Sequence, residues 1–333
     1  MVTIDSYPVA VIMLLVTMLC WGSWANTQKL ATRKWPFQLF YWDYALGIVI
    51  LSLILGVTMG STGTGGRSFF PDLAQASSSA LGSAFLGGVV FNIANLLLVA
   101  AIDIAGMSVA FPVGIGLALV IGVLVNYVAV PVGDPVLLFL GVALVTVAII
   151  FDAIAYRKLS GNTSVTIKGI VLSILAGILM GFFFRFVAAA TAQDFEQPSA
   201  GLMTPYSAVF VFSIGVFISS FLWNTIFMYK PIKGEKVSFR DYFKQGTPYL
   251  HFIGILGGVI WCLGMEFSII ASGQAGFAIS YGLGQGATMV AAAWGVFIWK
   301  EFAEAPKGTN KLLYTMFAFF LVGITLIIIA RLN

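Results

Sequence analysis

The chain has 333 residues, of which 60% are hydrophobic and 9% charged, and its formal net charge is +4. So few polar residues cannot cover the surface of a soluble protein of this length, which excludes soluble enzymes and soluble binding domains. The composition predicts an integral membrane protein.

Ten apolar stretches are long enough to cross a membrane as helices, because a crossing takes about 20 residues. In chain order they cover residues 9–30, 37–59, 80–101, 106–130, 135–155, 169–191, 205–228, 250–271, 274–299 and 312–330. We therefore expect an all-α integral membrane protein with ten transmembrane helices.

The second half of the chain resembles the first. Segment 87–116 aligns without a gap with segment 257–286, and glycines recur at an offset of 170 residues, as in the pairs Gly88 and Gly258, and Gly106 and Gly276. Each half holds five predicted helices, an odd number, so the second copy must enter the membrane from the opposite side. We predict two inverted five-helix repeats, residues 1–160 and residues 161–333, which are typical of a secondary transporter whose solute site lies between the halves.

Basic residues are distributed unevenly between the two sides of the predicted membrane domain. The loops after the first, fifth, seventh and ninth predicted helices hold fourteen of them, whereas the opposite side has only Arg67 and Arg331. The fourteen are Lys29, Arg33, Lys34, Arg157, Lys158, Lys168, Lys230, Lys233, Lys236, Arg240, Lys244, Lys300, Lys307 and Lys311. By the positive-inside rule these loops face the cytoplasm, and both termini lie outside a bacterial-type inner membrane or a plasma membrane. Topology thus accounts for the net charge, and we expect no nucleic acid partner.

Three ionisable residues lie within the predicted membrane helices: Asp43, Arg185 and Glu266. Charged groups are costly in hydrocarbon, so each is a functional candidate, and a carboxyl that titrates there suits proton coupling. The alternative for Asp43 is a structural hydrogen bond from Trp42 or Tyr44. For Glu266 we expect an ion pair with Arg185, a proton relay, or both.

Polar and aromatic side chains form stripes on several predicted helices. Asn, Gln and Tyr near the membrane midplane lose hydration unless something binds them, and tryptophan offers a flat face to a solute. The alternative is hydrogen bonding between helices. The predicted substrate-binding residues are Trp21, Asn26, Asn92, Asn95, Trp261, Tyr281 and Gln285.

Little in the chain indicates catalysis or a bound metal. Cys20 and Cys262 lie in apolar stretches and His251 is the only histidine, so we expect no metal, no cofactor and no enzymatic activity. The expected partners are a small-molecule substrate, protons and membrane lipid, and a homodimer is left open as the assembly.

The segments CWGSWANT and YWDY of the first two predicted helices, with segment 87–127, resemble the ureide permease branch of the drug/metabolite transporter superfamily. Segment 257–302 resembles the glucose/ribose and rhamnose transporter branch. The resemblance implies a carrier of ten helices in inverted repeats. Plant ureide permeases have a long central loop with a nucleotide-binding segment, whereas the loop at residues 156–168 is short here.

We therefore expect a secondary active transporter, namely a proton-coupled importer of a small uncharged polar solute, with a monosaccharide favoured. The alternatives are a ureide or nucleobase permease and an exporter of drugs or amino acids. Phosphate-bearing solutes are disfavoured, because their recognition calls for clusters of Arg or Lys.

Overall fold

The computed structural model describes residues 1–31, 35–160, 166–232 and 234–332. Within these ranges the chain is all-helical, which confirms the predicted class, and extended pairing is limited to an isolated bridge between Thr191 and Met203. The predicted basic residues Arg33, Lys34 and Lys233 lie outside the described residues. So do Asn333 and residues 161–165, where the second predicted domain begins.

Fifteen α-helices and two π-helical stretches make up the fold of the described residues. They are α1 Tyr7–Ser23, α2 Ala25–Ala31, α3 Phe37–Val57, α4 Phe69–Gln75, α5 Ser78–Ala105, α6 Met107–Ala110, π1 Phe111–Ile115, α7 Gly116–Ala129, α8 Pro135–Ser160, α9 Ile167–Ala190, α10 Pro205–Tyr229, α11 Phe239–Gln245, α12 Pro248–Ala275, α13 Phe277–Gly284, α14 Ala287–Ala293, π2 Trp294–Ile298 and α15 Thr309–Ile329.

Nine helical segments in the described ranges are long and apolar enough to cross a membrane, and they match nine of the ten predicted stretches. The exception is stretch 274–299, which does not form one continuous helix. That stretch divides into α13, α14 and π2, with a turn at Gln285 and Gly286. Glycine is a poor helix former, and the Trp21 ring occupies the space beside Gly284 that a side chain would need.

The ends of the helices meet in two layers. At one end, called here the terminal end, the Tyr7 hydroxyl donates to the Ile328 carbonyl oxygen at 2.7 Å, and the Gln274 amide donates to Ile4 at 3.0 Å. At the opposite end, called the basic end, Glu301 accepts hydrogen bonds from Lys29 at 2.6 Å and from Tyr156 at 2.9 Å. Gln274 and Glu301 flank α13, α14 and π2, so this broken segment runs from one end of the fold to the other.

Helices α5 and α12 begin and end alike. The Ser77 hydroxyl caps α5 by accepting from Ala80, and the Thr247 hydroxyl caps α12 by accepting from Leu250. Each helix has 28 residues and stops at a glycine with positive φ, 75° at Gly106 and 81° at Gly276. Both ends of the two helices are therefore related by the 170-residue offset of the sequence repeat.

Two close helix crossings join the first half of the chain to the second. Gly258 of α12 contacts Gly47 of α3, and Gly88 of α5 contacts Gly215 of α10. A Cβ atom at Gly47 would lie 3.1 Å from the Gly258 Cα, and one at Gly215 would lie 3.2 Å from the Gly88 Cα. Because small residues allow such an approach, the four glycines fix how the halves interlock.

We expect Gly258→Ala to lower the melting temperature of the purified protein. The added Cβ would lie 2.9 Å from the Ile48 amide nitrogen and nearer still to the Tyr44 carbonyl oxygen. Overpacking of this kind costs about 1–3 kcal/mol. Gly82→Ala in α5 is the matched control, because nothing lies within 4 Å of its new Cβ. Equal melting temperatures for the two variants would contradict the close crossing.

Candidate functional site

A cavity of about 220 Å³ lies among α1, α2, α5, α9, α12 and the break between α13 and α14. Its large aromatic lining residues are Trp21, Trp24, Phe91, Phe183 and Trp261. Its polar lining residues are Gln28, Asn95, Gln285 and Thr288. Since the lining in the described part of the chain contains no charged residue, the cavity suits an uncharged solute.

The aromatic wall is built across α1, α5 and α12. The Trp21 and Trp261 rings stack with centroids 5.8 Å apart and planes 14° apart, and the Trp21 indole nitrogen donates to the Trp261 carbonyl oxygen at 3.1 Å. Phe91 lies against Trp261 with ring centroids 4.3 Å apart. These contacts hold flat apolar faces in fixed positions before a solute arrives.

Two of the three amide side chains that line this cavity, Asn95 and Gln285, lie on different elements. Gln285 follows the last residue of α13 and lines the cavity. The Asn95 amide on α5 donates to the Tyr41 hydroxyl at a long 3.3 Å. Amides both donate and accept hydrogen bonds, so the pair can bind a solute that does the same.

The cavity opens toward the basic end. Gln28 and Val99 line both this cavity and a wider one of about 530 Å³. The wider cavity also contacts polar residues of the connection that contains α11, including Lys236, Asp241 and Gln245. The two cavities together give the solute pocket a route to the basic end.

The terminal end is closed by two interlocked loops. The Arg67 guanidinium donates to Asp72 at 2.8 Å and to the carbonyl oxygens of Pro198 at 2.5 Å and Leu202 at 2.6 Å. The other Asp72 oxygen accepts from the Thr204 backbone amide at 2.7 Å. The loop before α4 is thereby tied to the loop before α10.

Four of the seven predicted substrate-binding residues line the cavity: Trp21, Asn95, Trp261 and Gln285. Asn26 lies elsewhere, because its amide donates to the Ser23 carbonyl oxygen and accepts from the Trp299 indole at 2.6 Å. Tyr281 lies behind the wall, where its hydroxyl donates to the backbone oxygens of Met180 and Ala118.

Asn92, another predicted substrate-binding residue, does not line this cavity. The Asn92 amide nitrogen contacts α10, where it lies 2.7 Å from the Ser219 hydroxyl, 3.1 Å from the Ser220 hydroxyl and 3.1 Å from the Val216 carbonyl oxygen. The side chain is fully buried. Asn92 therefore fits the alternative prediction for the polar stripes, which is hydrogen bonding between helices.

The expected ion pair between Glu266 and Arg185 is also absent from the described residues. Glu266 on α12 is fully buried, and neither of its carboxyl oxygens has a hydrogen-bond partner there. Arg185 on α9 is partly exposed. The sequence placed both residues at similar depth, but depth alone does not give the rotation of a helix about its axis.

Asp43 has different partners from those expected. Its carboxyl accepts from the Tyr242 hydroxyl of α11 at 2.5 Å, and its two oxygens lie 2.9 and 3.0 Å from Nδ1 of His251 on α12. Trp42 instead contacts the Met228 sulfur at 3.2 Å, and the Tyr44 hydroxyl has no partner in the described ranges. The sequence analysis considered His251 only as evidence against catalysis and metal binding, because it is the only histidine. It therefore missed this cluster.

The short helix α11 carries two groups with altered acidity. Burial raises the pKa of Tyr242, and its hydrogen bond to the Asp43 carboxyl adds to the rise. Hydrogen bonds from the Ser238 side chain and backbone lower the pKa of Asp241. The first shift keeps the Tyr242 hydroxyl protonated, so it remains a donor to Asp43.

Comparison with known proteins gives a consistent group of relatives. The pattern of the ureide permease family matches residues 155–330. Ureide permease 1 of Arabidopsis thaliana is 24% identical over 387 aligned residues, covering 98% of this chain and 98% of the relative. Ureide permease 2 of the same plant is 23% identical with the same coverage.

More distant similarity extends to another membrane protein and to a solved structure. Transmembrane protein 144 homolog B of Dictyostelium discoideum is 26% identical over 169 residues, which is 50% of this chain and 41% of the relative. One crystal structure aligns over 98% of this chain and 99% of its own length, with a TM-score of 0.56 and 14% identity. At that identity the match shows a shared fold alone.

We expect Asn92→Ala to lower the stability of the protein by about 1–3 kcal/mol, because it removes a buried donor that bridges α5 and α10. The measurement is the melting temperature of the purified protein. Asn310→Ala, at an exposed position in the first turn of α15, is the matched control. If both variants melt like the unmodified protein, Asn92 does not join the two helices.

Proposed function

The chain belongs to the ureide permease family, and we propose that it is a secondary active transporter that imports a small uncharged ureide without changing it chemically. The observation that carries this proposal is the uncharged cavity in which tryptophan faces adjoin two amide side chains. A ureide contains N–C(=O)–N groups, which present both donors and acceptors in one plane. Asn95 and Gln285 can bind such edges while Trp21 and Trp261 contact the faces.

The relatives favour a ureide over the monosaccharide that the sequence suggested. The whole-length relatives are named ureide permeases, and this chain covers 98% of three of them. A nucleobase shares the flat shape and amide edges of a ureide and belongs to the same proposal. Export of drugs or amino acids has no comparable support, because the cavity is small and its lining pairs amides with aromatic rings.

The proposed mechanism is alternating access by two inverted repeats with ten crossings. The α13, α14 and π2 segment supplies the tenth crossing, which agrees with the meeting of Tyr7 and Ile328 at one end. The paired glycine crossings and the matched α5 and α12 support two equivalent halves. In this state the solute cavity is open at the basic end and closed at the terminal end.

Proton coupling through a membrane carboxyl is part of the proposal, with Asp43 and Glu266 as its candidates. Import against a gradient needs an energy source, and an intramembrane carboxyl can carry a proton. Asp43 is the better candidate because His251, which contacts it, is partly exposed. Glu266 has no such route among the described residues.

Uptake measurements in cells or proteoliposomes test the substrate class. We expect saturable uptake of radiolabelled hydantoin or uracil that is not reduced by excess glucose, with the solute recovered unchanged. Uptake of glucose without uptake of hydantoin or uracil would contradict the proposal and restore the monosaccharide reading.

Removing either cavity amide should weaken solute binding. We expect Asn95→Ala and Gln285→Ala to reduce affinity by about 5- to 150-fold, the effect of leaving 1–3 kcal/mol of hydrogen bonding unmade. Asn126→Ala is the matched control, since this buried amide donates only to Gly122 within its own helix and does not line the cavity. Competition binding with labelled hydantoin gives the three affinities. Equal losses in all three variants would place the solute elsewhere.

The proposed orientation puts both termini outside and the basic end in the cytoplasm. Single cysteines at Val2 and Lys307, both exposed, test it with a thiol reagent that cannot cross membranes. Val2→Cys should react on intact cells and Lys307→Cys only after the cells are opened. The two native cysteines, Cys20 and Cys262, are buried and give a low background. The reverse labelling pattern would invert the orientation.

A further inference from the structure

We propose that Asp43, His251 and Tyr242 form the proton-binding site that drives transport, with access to water at the basic end. The proposal rests on the proposed secondary transport and assigns its coupling ion to named residues. The sequence indicated Asp43, Glu266 and Arg185 as candidates for proton coupling, and the structure adds the imidazole and phenol that contact Asp43.

The geometry is that of a proton held between two groups. Nδ1 of His251 lies 2.9 and 3.0 Å from the two Asp43 oxygens, within hydrogen-bond distance of both. The Tyr242 hydroxyl donates to Oδ1 of the same carboxyl at 2.5 Å. An imidazole and a carboxyl can both bind and release a proton, so this pair has the groups that a proton-binding site needs.

Burial differs sharply between the two partners. The Asp43 side chain is 1% exposed, whereas the His251 side chain is 29% exposed. Nδ1 faces the carboxyl, and Nε2 lies beside Gly246 in the connection between α11 and α12. A proton can therefore pass between water and the buried carboxyl through one imidazole ring.

The surroundings of the pair are aromatic and apolar rather than charged. Trp35, which precedes α3, meets the His251 ring edge-on at 5.3 Å, and Tyr242 of α11 lies 4.8 Å from it. The titratable groups that face His251 in the described residues are Asp43 from α3 and Tyr242 from α11. Neighbouring α2 and α10 contribute the uncharged Thr27 and Met228 to the packing of α12 and α3.

The other charged residues of α11 point away from the pair. Arg240 and Lys244 are exposed, and Asp241 caps its own helix through Ser238. When the imidazolium loses its proton to water, the Asp43 carboxylate is left buried without a positive partner. The attraction between α3 and α12 then falls, because an unpaired buried charge is unfavourable.

The same two helices carry the close crossing and one wall of the cavity. On α12, His251, Gly254 and Gly258 are spaced to lie on one face, and the Gly254 backbone abuts Asp43 while Gly258 abuts Gly47. Trp261, one turn further along, lines the solute cavity. A change in the pairing of Asp43 with His251 thus acts on the helix that contacts the solute.

The corresponding cluster at the terminal end has no titratable base. Helices α4 and α11 have seven residues each and stand 170 residues apart, as α5 and α12 do. At α4 the buried carboxyl of Asp72 is paired with Arg67, whose guanidinium keeps its charge at all physiological pH values. The two ends are built alike, but only the basic end has a histidine, so the proton site lies there.

The single histidine makes the site directly observable. In protein labelled with ¹⁵N-histidine and purified through a histidine-free tag, the imidazole should give one set of ¹⁵N signals. We expect Asp43→Asn to shift the Nδ1 signal, because the group that Nδ1 contacts changes from a carboxyl to an amide. Asp241→Asn is the matched control and should leave the signal in place. An unchanged Nδ1 signal in Asp43→Asn overturns the proposal.

Transport assays test coupling with the unmodified protein as reference. In Asp43→Asn and His251→Gln, we expect the hydantoin accumulation driven by an imposed pH gradient to fall by about tenfold or more. Exchange of labelled for unlabelled hydantoin should continue in both variants. Tyr242→Phe keeps the ring contact with Trp35 and should lose less. Full gradient-driven accumulation by both Asp43→Asn and His251→Gln overturns the proposal.

The two experiments separate failure of the site from failure of the proposed function. The ¹⁵N measurement needs no solute, so it tests the Asp43–His251 site even if no ureide is transported. If hydantoin and uracil are not carried but the Nδ1 signal shifts in Asp43→Asn, the substrate class is wrong and the site stands. Variants are compared after size-exclusion chromatography, so that a misfolded protein is recognised before either measurement.

Discussion

Close contact between glycine backbones determines much of this structure. Where α3 crosses α12 and α5 crosses α10, no side chain separates the helices, and each crossing joins one half of the chain to the other. Inside a membrane the hydrophobic effect does not drive helices together, so such contacts must supply packing energy that larger residues would block. The aromatic wall and the Asp43 cluster both depend on α12, which these contacts hold in place.

The irregular backbone between α13 and α14 lies beside the cavity. The break between α13 and α14 leaves Gln285 at a turn, with its amide in the cavity rather than in a helix packing. A non-helical backbone at membrane depth is tolerated where it lines a cavity or is buried in protein. The glycines near this break and the Trp21 ring thus lie where α13 ends beside the cavity.

Hydropathy predicted most of the fold because apolar length is a property of each segment alone. At 274–299 it did not indicate the break between α13 and α14, where the Trp21 ring packs against Gly284. Asn92 and Asn95 are three residues apart, a spacing that puts two side chains on neighbouring positions of a helix face, yet Asn92 contacts α10 and Asn95 lines the cavity. The contact of Asp43 with His251 spans 208 residues and depends on the rotation of two helices, which no local pattern specifies.

The two longest helices, α5 and α12, have 28 residues each and are about 42 Å long at 1.5 Å per residue. The hydrocarbon of a typical bilayer is only about 30 Å thick, so both helices must tilt or extend beyond it. Each is pinned to a partner helix near its middle by a glycine crossing, and a change of tilt must therefore turn about that point. A change in bilayer thickness is therefore expected to change the tilt of α5 and α12 about these two glycine crossings.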